Sequence, residues 1–327
     1  MKKNSMLSLF AAIPAFVLCL VMRFLQIAGA TDFRTGFLFD DCGFFMDFGY
    51  YGLLILVIIA VVVLCILDKK RSGALFTNET SGIVDTKAIL IGFPLLIAGA
   101  LAIYEGFMQT KALSPSAFLM FVGFILGGLM VVQAFVVLYK KEIKAGLGFS
   151  FVIPAVYYTL RGIGVFLDRM VVASIPEYLI ECLCIIGFAV FFMFLAKLLS
   201  GNEAKHTRTT LSAVGITTAV MTLSNAMAVI LADIISPNGV SVRIVTNANE
   251  AEMAEQYAIA SGKYGYFMSY MSWTDVVVAV TIVLTLIVLY KANKLVVCEQ
   301  DDAEADTVDE AEQLSEEYEL PDDTETQ

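Results

Sequence analysis

The chain has 327 residues, of which 58% are apolar and 16% are charged, and its mean hydropathy is +0.79. Soluble domains carry about 25% charged residues, so this composition excludes an ordinary water-soluble globular protein. The net charge of −11 originates in residues 295–327, which hold 14 Asp or Glu and no Lys or Arg. Without that segment the chain carries +3 (−11 plus 14), so the acidic balance describes a tail and not a solute-binding surface.

Eight long apolar stretches follow one another along residues 1–294. A helix rises 1.5 Å per residue and needs about 20 apolar residues to cross a bilayer. The stretches therefore predict an all-α fold, a polytopic transmembrane helix bundle of about eight spanning helices, with no room for a second globular domain. In chain order, the predicted spans are Leu7–Ala28, Phe48–Leu67, Ala88–Phe107, Pro115–Tyr139, Phe149–Val172, Glu177–Leu199, Thr210–Ile235 and Phe267–Tyr290.

The loops alternate between high and low positive charge. Of the 21 Lys and Arg residues, 14 precede the first span, follow the eighth, or lie around the loops after the second, fourth and sixth spans. Because cytosolic loops carry the excess of Lys and Arg, the sequence predicts a multi-pass protein of the cell membrane with both termini in the cytosol. An alternative concerns the first span, which begins after Lys2 and Lys3 and ends in Ala28-Gly29-Ala30, as a cleaved signal peptide does. Cleavage after Ala30 would leave seven spans.

Two short patterns recur and suggest an internal duplication. The first span contains Ile13-Pro14-Ala15 followed by Arg23, and the fifth contains Ile153-Pro154-Ala155 followed by Arg161. The fourth and eighth spans both end in Val-Leu-Tyr-Lys. These matches predict two parallel four-helix repeats, 1–145 and 146–294, as in some transporters. The distance from Pro to Arg is nine residues in one half and seven in the other, which weakens the match.

Ionisable residues inside a bilayer are costly and are therefore candidates for function. Arg161 falls near the middle of its predicted span, whereas Arg23 lies close enough to the outer surface to extend its charge towards it. Acidic residues gather at the predicted outer helix ends. One interpretation is an outward-facing cavity that binds an anionic or zwitterionic solute at Arg161; the other is an ion pair between Arg161 and Glu181 or Asp233 that locks helices together. The candidate solute-binding residues are Arg161, Arg23, Glu181, Asp233 and Asn225.

Small and polar residues in two other spans predict close helix packing. In the seventh span, Gly215, Thr218, Thr222 and Asn225 share one face. Such a face allows close approach and hydrogen bonding between helices, and a solute path is the alternative. The fourth span carries a Gly-x-x-x-Gly motif that begins at residue 123, and its Gln133 requires an internal hydrogen-bond partner.

The chain has no motif for catalysis or for binding a nucleotide or metal. The single histidine, His206, excludes a His-dependent triad within the membrane. We therefore expect no enzymatic activity, no cofactor, no metal and no nucleic-acid partner. Residues 295–327 are rich in charge and are predicted to be a disordered cytosolic tail.

Two functions remain open. The first is a small-solute transporter or permease, with lipid and a solute as partners. The second is a non-transporting membrane sensor or assembly subunit, which would bind a cytosolic protein through the acidic tail.

Overall fold

The computed structural model describes residues 7–30, 44–72, 83–109, 117–143, 145–169, 176–200, 206–235 and 273–290. Within these ranges, eight helical segments are long and apolar enough to cross a membrane, so the predicted bundle is confirmed and the chain is a multi-pass membrane protein. The helices are α1 (Leu7–Ala30), α2 (Phe44–Ser72), α3 (Asp85–Gln109), α4 (Ala117–Lys140), α5 (Ala145–Phe149), α6 (Val152–Arg169), α7 (Pro176–Leu199), α8 (Thr207–Ile235) and α9 (Trp273–Tyr290).

The fifth span is broken near its start, where the sequence predicted one continuous helix from Phe149. Helix α5 ends at Phe149, and α6 begins at Val152. Pro154 explains the break because it has no N–H to donate to the carbonyl of Ser150. The N–H of Ile153 bonds to that carbonyl instead, at 2.9 Å, in a tighter turn than an α-helix makes.

Helix α9 lies at the centre of the bundle. Of the eight spans, α9 has the largest share of buried residues, 61%, whereas α1 has 17%. Around it, α1 packs on α2 and α8, α7 packs on α8 and α6, and α4 packs on α6 and α3. The outward face of α2 leaves large side chains such as Ile55, Leu56 and Ile59 about 60% exposed. In a membrane protein these apolar faces contact lipid.

Glycines bring α3 and α4 into close contact, as the motif in the fourth span predicted. A Cβ placed on Gly123 would lie 2.9 Å from the Cα of Gly106 and 2.9 Å from the carbonyl oxygen of Ala102. One on Gly127 would meet the side chain of Ala102 at 3.1 Å. Gly128 has nothing within 4 Å, so Gly123 and Gly127 are the glycines that form the seam.

Asp68 of α2 fixes the start of α1. Its carboxylate accepts hydrogen bonds from the backbone N–H of Ser8 at 2.9 Å, from the Ser8 hydroxyl at 2.7 Å and from the N–H of Leu7 at 3.3 Å. These are N–H groups that a helix start leaves without partners. The Ser8 hydroxyl also lies 3.0 Å from the hydroxyl of Tyr290, at the end of α9. The start of α1 and the ends of α2 and α9 therefore meet at one end of the bundle, as up-and-down alternation requires.

Two short strands connect the α3–α4 pair at this same end of the bundle. Strand β1 (Ile83–Val84) pairs antiparallel with β2 (Glu142–Ile143). Lys141 has φ of 52°, so it adopts the left-handed conformation that commonly ends a helix and turns the chain from α4 into β2. This end carries the basic loops and is the predicted cytosolic end; which side of the membrane it faces stays a prediction.

Candidate functional site

Arg161 is buried between three helices and is bound on both sides of its guanidinium. Its Nη1 donates to Oδ1 of Asp275 at 2.5 Å, and its Nη2 donates to Oδ2 of the same carboxylate at 3.2 Å. Nη2 also lies 3.9 Å from Oε2 of Glu105. Asp275 is in the first turn of α9, where the helix dipole favours an acid, and Glu105 is near the end of α3. The cluster therefore joins α3, α6 and α9 at the predicted outer end.

The three ionisable side chains of this cluster differ in exposure. The side chains of Arg161 and Asp275 are 10% and 5% exposed, whereas that of Glu105 is 29% exposed. The hydroxyl of Thr274 donates to Oε1 of Glu105 at 2.7 Å. One buried guanidinium therefore faces two carboxylates from two different helices.

Aromatic side chains line the inner side of the cluster. The Cζ of Arg161 lies 5.9 Å from the centre of the Tyr158 ring, within the range of a cation–π contact. Tyr158 also packs edge-on against Phe188 and parallel to Phe192 of α7. Its hydroxyl is buried and has no hydrogen-bond partner among the residues that the structure describes.

The structure confirms that Arg161 faces the bundle interior and reaches carboxylates at the predicted outer end of other helices. It corrects one detail: the partners are Asp275 and Glu105 where the sequence favoured Glu181 or Asp233, because α9 and α3 bring these two carboxylates to α6. Arg161 lies near the middle of α6 (Val152–Arg169). The side chain of Asp233 is outside the described residues.

Arg23 forms a second buried polar site, together with another predicted residue. Its Nε donates to Oδ1 of Asn225 at 2.8 Å, and its Nη1 donates to Oε1 of Gln26 at 2.5 Å. Its Cζ lies 5.4 Å from the centre of the Tyr50 ring. Arg23 is fully buried, so the expected extension to the membrane surface is wrong: α1 packs against α8, and its guanidinium bonds there instead.

Glu181 lies on α7, in the region between the two arginine sites. It is 8% exposed. Cys184, one helical turn further along α7, is within electrostatic reach of Glu181 and Asp275 and also of Tyr50, which contacts Arg23. Of the predicted set, Arg161 therefore lies in one site, Arg23 and Asn225 form the other, and Glu181 is on α7, which packs on both α6 and α8.

The polar face of α8 serves packing, as its residue types indicated. Thr218 and Thr222 are buried, and a Cβ on Gly187 of α7 would collide with the side chain of Thr218. A Cβ on Gly215 would meet Phe191 of α7 and Leu286 of α9 at 2.9 and 3.0 Å. The small residues of this face thus allow α8 to approach both neighbours closely.

Gln133 departs from the expectation that it has an internal partner. Its side chain is 4% exposed, yet neither its amide oxygen nor its amide nitrogen has a hydrogen-bond partner among the described residues. Sequence reasoning placed Glu105 and Asp275 at outer helix ends, but it did not include them among the candidate site residues, and it missed Asp68 and Thr274. The available signal was weak: Thr274 and Asp275 form an acidic helix start, and Asp68 directly follows an apolar run.

No group of three or more His, Cys, Asp or Glu side chains with the geometry of a metal site occurs in the part of the chain that the structure describes. Comparison with protein-family models, with curated proteins and with solved structures gave no match.

Proposed function

We propose that this protein is a small-solute transporter or permease whose solute site is the cluster around Arg161. The observation that carries the proposal is the geometry of the cluster: three helices bring two carboxylates to one buried guanidinium, and one of the two, Glu105, is partly exposed. If the only role of the ion pair were to hold helices together, Arg161 and Asp275 alone would suffice for it. Glu105 is a second acid beside that pair, and it is the more exposed of the two carboxylates.

The geometry favours a zwitterionic solute over a simple anion. Asp275 already occupies both ends of the Arg161 guanidinium, so an anion would have to displace a bidentate carboxylate. The accessible charge is the negative one of Glu105. A solute with an ammonium group would pair with Glu105, and its own carboxylate would then compete with Asp275 for Arg161.

Solute binding is tested by thermal unfolding of the purified full-length protein in detergent with matched probes. We use zwitterionic amino acids, a dicarboxylate such as succinate, and a diamine such as putrescine. Zwitterions should raise the unfolding temperature, because a ligand stabilises the state that binds it. Uptake of the binding probe into liposomes should then separate transport from binding alone.

Two variants separate a solute site from a helix lock. Glu105→Gln removes the accessible charge but leaves the Arg161–Asp275 pair, so it should abolish the solute effect without loss of folding. Glu142→Gln, at the opposite end of the bundle, is the control and should behave as the wild type. If Glu105→Gln binds and transports the probe normally, or if no probe acts on the wild type, the site is structural.

The acidic tail supports a second candidate function, that of a sensor or assembly subunit. Its 14 acidic residues without a single Lys or Arg suit a basic surface on a cytosolic partner. Deletion of residues 295–327 should then remove specific proteins that purify with the full chain. If the same proteins purify with both forms, this candidate fails.

A further inference from the structure

The β1–β2 ladder gathers three lysines at one end of the α3–α4 pair. Lys140 is the last residue of α4, and Lys141 makes the left-handed turn that follows it. Lys87 is in the first turn of α3, which directly follows β1. Because Val84 pairs with Glu142, all three lysines lie within three residues of one backbone pair. The ladder therefore holds three ammonium-bearing side chains in one place.

Positive charge predominates around the ladder, and its lysines are accessible. Residues 83–87 and 140–144 contain four lysines and two acids, Asp85 and Glu142. The side chains of Lys140 and Lys141 are exposed, and that of Lys87 is partly exposed. None of these three lysines forms an ion pair with a side chain that the structure describes. They are therefore available to a negatively charged ligand.

The lipid-facing surfaces of α3 and α4 lead to these lysines. On α4, the exposed side chains of Val132, Phe135 and Tyr139 recur at helical spacing up to the ladder. On α3, Phe93 is exposed as well, and a Cβ on the adjacent Gly92 would lie 3.0 Å from an α4 side chain. The two helices thus remain in contact up to the ladder and present an apolar surface directly beside it.

The predicted topology explains why this end of the bundle is basic, but it does not explain why lysines gather at the ladder. The positive-inside rule depends on the number of Lys and Arg residues in a loop and not on their exact positions. Lys70 of α2 and Lys197 of α7 are also exposed at this end, and each lies on a helix of its own. These two lysines carry the same charge away from the ladder, so they provide a matched control.

We infer that Lys87, Lys140 and Lys141 bind the phosphate of an anionic phospholipid whose acyl chains lie along the exposed surfaces of α3 and α4. Lysines beside a membrane surface attract anionic headgroups, and basic sites between spanning helices bind them specifically. The apolar surface beside the ladder favours a lipid over a soluble phosphate or an acidic peptide, because neither of these has hydrocarbon to cover it. Tyr139 suits the level of the headgroups, where tyrosines accumulate. This site does not depend on the proposed transport of a solute.

Lipid binding is tested by native mass spectrometry of the full-length protein in a neutral detergent, with added phosphatidylglycerol or phosphatidylcholine of the same acyl chains. The wild type should retain phosphatidylglycerol in preference. The double variant Lys140→Gln, Lys141→Gln should lose about fivefold in apparent affinity for each lysine removed, or about 25-fold in total. The double variant Lys70→Gln, Lys197→Gln has the same change in charge and should bind as the wild type does. Lys140→Arg, Lys141→Arg keeps the charge and should retain the lipid, which separates loss of charge from misfolding.

Four results would overturn the inference. Equal loss of affinity in the two glutamine variants would show a general effect of surface charge. Equal retention of the two lipids by the wild type would show that the phosphate site does not select an anionic headgroup. Stabilisation by glycerol 3-phosphate as large as that by phosphatidylglycerol would assign a soluble phosphate. Carbodiimide cross-links from Lys140 or Lys141 to residues 299–327 that persist in excess phosphatidylglycerol would assign the surface to the acidic tail.

Discussion

Replacement of Asp275 with Asn should destabilise the protein by about 3 kcal/mol. The substitution keeps the size of the side chain and one carbonyl acceptor but removes the charge opposite Arg161. Unit charges about 4 Å apart interact by about 4 kcal/mol at an effective dielectric constant of ~20. Loss of one partner of a buried pair costs ~3–5 kcal/mol, and Glu105 at 3.9 Å retains part of the compensation, which places the expected cost at the lower end.

The assay is reversible unfolding of the purified protein in mixed micelles of detergent and dodecyl sulfate. The control is Tyr139→Phe, at a side chain that is 89% exposed, and it should change stability by less than about 0.5 kcal/mol. The double variant Arg161→Met, Asp275→Leu is compared with the two single variants Arg161→Met and Asp275→Leu. Its loss of stability should be smaller than the sum of the two single losses by at least about 1 kcal/mol. Strict additivity, or a cost for Asp275→Asn no larger than that of the control, would show that the pair contributes nothing and would refute the reasoning.

Three further substitutions test other parts of the bundle by the same assay. Asp68→Asn should cost about 1–2 kcal/mol, because the charge that caps α1 is lost, and Ser8→Ala should cost less because the backbone N–H bond remains. Gly123→Ala should destabilise markedly, whereas Gly128→Ala on the same helix should be neutral or slightly stabilising; equal effects would contradict the observed seam. Gln133→Leu should be neutral or stabilise by up to about 2 kcal/mol, since a buried amide without partners is removed, and a clear loss would reveal a partner for Gln133.

The spans could be predicted from the sequence because hydropathy is a local property. Each predicted run corresponds to one apolar helical segment, and the errors are confined to the ends. The break near Ser150 could have been predicted, because Pro154 has no N–H to donate to the carbonyl of Ser150 as a continuous helix requires. The burial of Asp68 near the end of α2 could not be predicted, because its hydrogen-bond partners are at the start of α1, about sixty residues away.

The partners of Arg161 could not be predicted because depth alone does not identify neighbours. The choice among the acids at the predicted outer level depends on which helices surround α6; these acids are Glu105, Asp168, Glu181, Asp233 and Asp275. Tertiary packing decided the choice, because α9 and α3 bring Asp275 and Glu105 to the guanidinium. The sequence shows which residues carry a charge, whereas the tertiary structure determines which charged residues form pairs.

The contacts of the two arginines bear on the hypothesis of duplication. If residues 1–145 and 146–294 are parallel repeats, the first span corresponds to the fifth and the third to the seventh. Arg23 of the first span bonds to Asn225 of the seventh, and Arg161 of the fifth lies beside Glu105 of the third. A twofold axis along the membrane normal would exchange these two pairings. The packing around them is not equivalent, because α1 packs extensively on α8, whereas α3 packs mainly on α4 and α6 packs mainly on α7 and α4. The duplication therefore stays a prediction, and the two arginine sites differ in the helices that surround them as well as in their partners.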